Sequence, residues 1–347
     1  MIKYKLPKAG IKVALGVYMS EATLSYVALK ATSEGISVLH FGDMAIPNEG
    51  DEAFRYRELT KTIILLKNKI EKNNIVSIAL PDGIATFFEL SIHEPNPSLL
   101  KKHIQKEVER SIVKGSSPVI IQSESLFSER GVTRVAVTVI PEEAIYRAHK
   151  LFIDAGFKPN HIGLSSESIG HLVSPKGSEL FLEINEMETS VSVLSAGSLV
   201  LQSRMQIGVA DFVEKLSQDL NIDSNKIRES IFFNGLDAKT GNEMLTSLRP
   251  MLRKITNEIE KMFLYWHIDC KKEKECRLNE ITLFGVGSLI PGFDSYIARA
   301  LSLKVKVPEL LLEVPMPALE VPEMTRSEAL THMPALSLAL EQLRSEK

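Results

Sequence analysis

Residues 281–307, ITLFGVGSLIPGFDSYIARALSLKVKV, carry an apolar strand into Gly285-Val286-Gly287-Ser288, and a helix begins near Pro291. Glycines at such a turn let the backbone approach a neighbour or a ligand closely, and a helix start supplies N–H groups with no partner inside the helix. Taken alone, the pattern favours a tight strand-to-helix turn without a ligand, so what surrounds it decides the reading.

Upstream, 179–185, 190–194 and 199–207 read as strands. Helical segments at 210–220, 224–233 and about 244–268 precede the strand at 280–284. The longest of these helices keeps Leu248, Leu252, Ile255, Ile259 and Phe263 at helical spacing. The same order opens the chain. Strands at 12–20, 24–32 and 36–43 lead to a helix at 52–72, with Leu59, Ile63, Leu66 and Ile70 on one face. A strand at 75–80 then stops at Pro81-Asp82-Gly83. This is a duplication in topology, and it divides the chain into lobes 1–178 and 179–347, each an α/β sheet with helices, facing one another across a ligand cleft.

The first half alone carries an insertion, about 84–140, with an extended segment at 86–92, a helix at 98–112 and strands at 119–126 and 133–140. A helix at 141–155 follows and ends at Gly156. Pro308, Pro315, Pro317 and Pro322 interrupt regular structure near the end. The last segment, 334–343, returns to helical spacing through Leu336, Leu340 and Leu343. Its polar face offers Glu341 and Gln342 with only Arg344, not the basic face of a membrane anchor, so it is expected to pack against the second lobe.

The 347 residues are 44% apolar and 24% charged, with a net charge of -3, which suits a globular chain and offers no global attraction to nucleic acid or anionic lipid. No apolar run reaches the roughly 18 residues of a membrane-spanning helix, and the first residues lack a signal-peptide core, so a cytoplasmic location is expected. Cys270 and Cys276 sit in CKKEKEC with nothing nearby to complete a metal site, and they read as reduced thiols on an exposed loop. The 8 histidines have no spacing that implies zinc or a nucleophile-base pair. Trp266 reads as a packing anchor.

Four runs, in order along nearly the whole chain, carry a family resemblance: LLKKHIQKEVERSI (99–112), VIPEEAIYRAHKLFIDAGFKPNHIGLSSESI (139–169), the quoted 281–307 and MPALSLALEQL (333–343). Together they resemble the actin-like ATPase superfamily and, within it, the FtsA-related PilM-like proteins of type IV pilus assembly. The resemblance implies a two-lobed actin-like fold, a duplicated ribonuclease-H-like sheet with an inserted subdomain in the first lobe. It implies a cytoplasmic scaffold that binds the cytosolic N-terminal peptide of a PilN-like inner-membrane protein, in a groove beside the inserted subdomain. The membrane is then reached through partners, other pilus components are contacted, nucleic acid is not, and self-association is left open. An ATP-hydrolysing switch and an FtsA-like division protein remain as alternatives.

The family's cofactors are ATP and Mg²⁺. Matched to its pattern, the nucleotide contacts fall at Gly16, Ser20, Thr189, Ser190, Gly208, Glu258, Gly285, Gly287 and Ser288, with Glu183 on the metal side. The chain departs from the family at the phosphates. The first Asp-x-Gly turn is Tyr18-Met19-Ser20, and the second is Glu183-Ile184-Asn185. A phenol does not hold Mg²⁺ as a carboxylate does and takes space a phosphate needs. The adenosine positions on helix 224–233 hold Arg228 and Ile231. Glu258 and Lys261 read equally as base or ribose contacts and as a solvated charged face. The expectation is therefore a degenerate site with no catalytic residue, which binds nucleotide weakly at most and does not turn it over.

Overall fold

The computed structural model describes residues 12–20, 23–31, 36–47, 49–70, 74–93, 97–111, 118–129, 131–170, 178–195, 198–236, 242–269, 278–307 and 324–344. Cys270, Cys276 and the proline-interrupted stretch at 308–322 lie outside them.

The first compact unit begins with β1 (Lys12–Met19), β2 (Thr23–Ala31) and β3 (Ile36–Ala45), then α1 (Glu52–Lys69) and β4 (Ile75–Leu80). Asp51 starts α1, its carboxylate accepting the Phe54 N–H at 2.7 Å, as an N-cap residue does. After the insertion come α3 (Glu142–Asp154), β8 (Lys158–Leu164) and the short α4 (Ser165–Ile169). The sheet order is β3-β2-β1-β4-β8, with β1, β2 and β3 antiparallel and β1, β4 and β8 parallel. Alternation along β1 sends Leu15, Val17 and Met19 into a core with Ile63 and Leu66 of α1, Ile78 of β4 and Phe152 of α3. The Phe152 and Phe157 rings meet there at 5.9 Å between centroids.

Between β4 and α3 lie β5 (Thr86–Ile92), α2 (Pro97–Ser111), β6 (Val119–Glu129) and β7 (Val132–Pro141), the inserted module. Its antiparallel sheet has the order β5-β7-β6. Ile104 and Val108 of α2 close on Ile92, Val135, Val137 and Val139 to form a core of its own.

The second unit repeats the first. It comprises β9 (Ser178–Ile184), β10 (Thr189–Ser195), β11 (Ser198–Met205), α5 (Val209–Leu220), α6 (Ser224–Asn234), α7 (Asn242–Asp269), β12 (Glu280–Phe284), α8 (Phe293–Leu301), β13 (Lys304–Lys306) and α9 (Arg326–Thr331). The order β11-β10-β9-β12-β13 matches the first sheet strand for strand, with the same two antiparallel and two parallel pairings. Leu248, Leu252, Ile255 and Ile259 of α7 are fully buried, and Trp266 is buried as the packing anchor expected of it. Phe212 stacks on Phe293 at 6.1 Å.

The terminal helix α10 (Met333–Arg344) corrects the sequence reading, because it packs in the first unit and not in the second. Every residue from His332 to Leu340 is buried, so the helix has no free apolar stripe. Two features of β1 hold it there. The ladder between β1 and β4 starts only at Gly16, and the Leu15 N–H that precedes it donates to Gln342 Oε1 at 2.8 Å. On Gly16 itself a Cβ would lie 1.9 Å from the Ala335 carbonyl oxygen and 2.8 Å from the Ala339 nitrogen. The Ser337 hydroxyl donates to the Ser168 carbonyl. Among the described residues, no helix is long and apolar enough to cross a membrane.

Gly16→Ala therefore has to displace helix backbone and is expected to cost about 3 kcal/mol. Gln342→Ala leaves the buried Leu15 N–H unpaired, an expected loss of about 1–3 kcal/mol. Urea unfolding midpoints of the two variants measure both effects.

Candidate functional site

In the first unit the turn that follows β1 is closed on itself. The Ser20 N–H donates to the Thr23 carbonyl at 2.8 Å, and the Ser20 hydroxyl donates to the same oxygen at 3.0 Å while accepting the Thr23 N–H at 2.9 Å. Tyr18 is buried within β1, paired with Ser25 and Ala79. Gly16, expected as a nucleotide contact, instead makes room for the backbone of α10. A buried carboxylate that the sequence reading passed over lies at the end of β4. Asp82 Oδ1 accepts both the N–H and the hydroxyl of Ser166 at 3.1 Å, tying the start of α4 to the strand end. Its signal was present in Pro81-Asp82-Gly83 and the serine run at 165–168, but nothing in the sequence paired the two.

In the second unit the β9–β10 turn has the matching bond, from the Asn185 N–H to the Glu188 carbonyl at 2.9 Å. The turn seats itself on the start of α5. The Val209 and Ala210 N–H groups donate to the carbonyls of Asn185 and Glu186 at 3.1 and 2.9 Å, and the Asp211 carboxylate accepts the Gly208 N–H at 2.7 Å. Donors of the kind an anion would meet at a helix start are thus taken by protein oxygens. Gly208 permits this seating, since a Cβ there would fall 2.2 Å from the Glu186 carbonyl oxygen.

The side chain of Glu186 is held from α6. Arg228 Nη1 and Nη2 donate to its two oxygens at 2.6 and 2.7 Å, the two-pronged geometry natural to guanidinium and carboxylate. That bond raises the already high pKa of Arg228. Arg228 is therefore committed to the turn, where the sequence reading placed it at an adenosine position.

The glycine loop after β12 packs against the same turn. A Cβ on Gly285 would lie 2.6 Å from the Ile184 carbonyl oxygen, and one on Gly287 would lie 2.3 Å from Ile184 Cγ2. Gly285 has φ +82° and donates its N–H to the Leu330 carbonyl of α9 at 3.2 Å. The Ser288 hydroxyl turns back to the Gly285 carbonyl at 2.6 Å. The structure thus brings Gly208, Gly285, Gly287 and Glu183-Ile184-Asn185 together, with backbone packed on Gly208 and Gly285 and the Ile184 side chain on Gly287. Glu183 is buried with the Ser190 hydroxyl 3.4 Å from its Oε2, and the Thr189 hydroxyl donates to the Ile207 carbonyl at 2.7 Å. Glu258 of α7 accepts from the Ser203 hydroxyl at 2.6 Å and from Lys261 at 3.2 Å, so the two charges satisfy one another.

No protein-family model and no curated protein sequence matches the chain. Solved structures do. A chain of the PilM-PilN type IV pilus biogenesis complex superposes with TM-score 0.71 at 18% identity, covering 95% of this chain and 98% of that one. The duplicated sheets and the inserted module lie within that match. The chain has the actin-like fold. Other actin-like structures align more loosely. MreB5 of Spiroplasma citri bound to ADP gives TM-score 0.54 at 12% identity, covering 96% of this chain and 97% of that one. The ethanolamine utilization protein EutJ of Carboxydothermus hydrogenoformans gives 0.53 at 12% identity, covering 96% and 92%.

Two variants separate packing from charge in this actin-like hairpin. Gly208→Ala is expected to unseat the turn from α5 at a cost of about 3 kcal/mol. Glu186→Ala removes an ion pair whose side chains are 42% and 40% exposed and is expected to cost under about 1 kcal/mol. Chemical denaturation of both proteins provides the comparison.

Proposed function

We propose that the chain is a scaffold of a type IV pilus assembly machine, working on the cytoplasmic side of the inner membrane and binding the cytosolic N-terminal tail of a PilN-like protein. The observation that carries this reading is the alignment, end to end, with a chain of the PilM-PilN complex. The inserted module fits the role, because its small sheet has an edge on each side, and edge strands accept extended peptides through main-chain bonds. The test is a pull-down of the purified chain with cytosolic tails of pilus inner-membrane proteins. Capture of a PilN-like tail is expected, and failure of every tail removes the reading while leaving the fold untouched.

The same proposal holds that the protein does not turn over ATP. Three features support it. Tyr18 stands where the family has a Mg²⁺-holding aspartate, the Ser20 and Asn185 turns are closed by their own bonds, and the first N–H groups of α5 are occupied. Phosphoryl transfer needs a metal and a placed water, and these residues supply neither role. A second reading, an ATP-driven switch, draws on the likeness to MreB5 bound to ADP. Titration with a fluorescent ATP analogue and Mg²⁺ separates the two. The scaffold reading expects no saturation at micromolar nucleotide and no phosphate release, whereas tight binding with turnover would establish the switch.

A further inference from the structure

Helix α2 of the inserted module has two unlike faces. Leu100, Ile104 and Val108, spaced by four, pack on the small sheet. Leu99, Lys102, Lys106 and Arg110 follow one another on the opposite side at the three- and four-residue steps that keep a helix face in line. Leu99 is 42% exposed, and Lys101, Lys102 and Lys106 are exposed as well.

Both carboxylates of the helix already have partners on it, Glu107 the Arg110 of the stripe at 2.9 Å and Glu109 the Gln105 amide at 3.0 Å. Lys101, Lys102 and Lys106 make no ion pair or hydrogen bond among the described residues. Two ammonium groups four residues apart repel, so the charges of Lys102 and Lys106 weaken the helix slightly rather than support it. Against a net charge of -3 the stripe is a local exception.

We propose that this face of α2 lies on an anionic bilayer surface, with the ammonium groups at the lipid headgroups and Leu99 entering the interface. Lysines are compact charges on flexible stems that suit a fluid array of phosphates, whereas a specific acidic peptide is better read by guanidinium forks, and the one arginine of the stripe is already held by Glu107. The stripe runs about 17 Å along the helix. Long lysine stems reach past a leucine to the headgroup level. A few lysines and one leucine hold a membrane weakly and reversibly by themselves, and a second tether strengthens the hold. The choice of a bilayer rests on the scaffold reading, in which a membrane-embedded partner supplies that tether. The face then orients a protein already held nearby.

The test is sedimentation of the full chain with vesicles of phosphatidylserine and phosphatidylcholine, and with vesicles of phosphatidylcholine alone. Retention is expected on the anionic vesicles only and is expected to disappear at high salt, as screening dictates. The double variant Lys102→Gln and Lys106→Gln keeps helix propensity and should weaken retention on the order of 25-fold, roughly fivefold per lysine. Equal retention on both vesicles, an unaffected double variant, or binding to polyglutamate without binding to vesicles would each overturn the proposal. The partner-tail pull-down is scored separately. Tail capture without vesicle binding sinks this inference alone, and vesicle binding without tail capture supports it while sinking the scaffold reading.

Discussion

A carbonyl oxygen sitting where a side chain would begin is the constraint on which both sheets depend. It occurs at Gly16, beneath the Ala335 carbonyl of α10, and again at Gly208, beneath the Glu186 carbonyl of the β9–β10 turn. Gly285 meets the Ile184 carbonyl in the same way. Interiors are packed so densely that one added carbon must move a whole element. In the first unit the missing carbon lets a buried helix lie on the central strand. In the second it lets a hairpin turn, a helix start and a strand-to-helix loop share one small volume. These glycines are the residues a phosphate-binding reading singles out, and here they serve the close approach of backbone to backbone.

The two hairpin turns show how one local design has been finished in two ways. Both close with the same bond, from the first residue of the turn to the carbonyl three residues on, at Ser20 to Thr23 and at Asn185 to Glu188. The first is completed by the Ser20 and Thr23 hydroxyls. The second is completed by docking on α5 and by the Arg228 clamp on Glu186. The duplication therefore persists in backbone wiring long after side-chain likeness has faded, as expected when topology constrains the ladder and the turn chemistry is free to drift.

Much of the fold was legible because it is written in local periodicity. The strands read at 12–20 and 190–194 and the helix read from the spacing of Leu59, Ile63, Leu66 and Ile70 all appear where the residues placed them. The seat of α10 was not legible. Its residues are apolar on nearly every side, so no stripe pointed to a partner, and its decisive bond joins Gln342 to Leu15 across 327 positions. Arg228 and Glu186 were also opaque, since two exposed charges 42 residues apart have many candidate partners in a chain this rich in charge. The glycines were visible but ambiguous, because a sequence shows that a residue must be small and not whether a ligand or a neighbouring strand demands it.

That ambiguity bears on how the donors of a turn and a helix start are satisfied in this fold. In a working nucleotide site, turn N–H groups and helix starts face an anion that satisfies them, and without that ligand they would remain in want of an acceptor. Here the carbonyls of Asn185 and Glu186 do for α5 what an oxyanion would, while Arg228 pairs with the Glu186 carboxylate and Arg204 lies 3.7 Å from that of Glu188. Once internal acceptors fill these positions, a charged ligand has to displace bonds already made before it gains any of its own. These bonds tie the hairpin to α5 and α6 within the second unit. A turn tied in this way is compatible with the proposed scaffold role, since holding an extended peptide draws on strand edges and pockets.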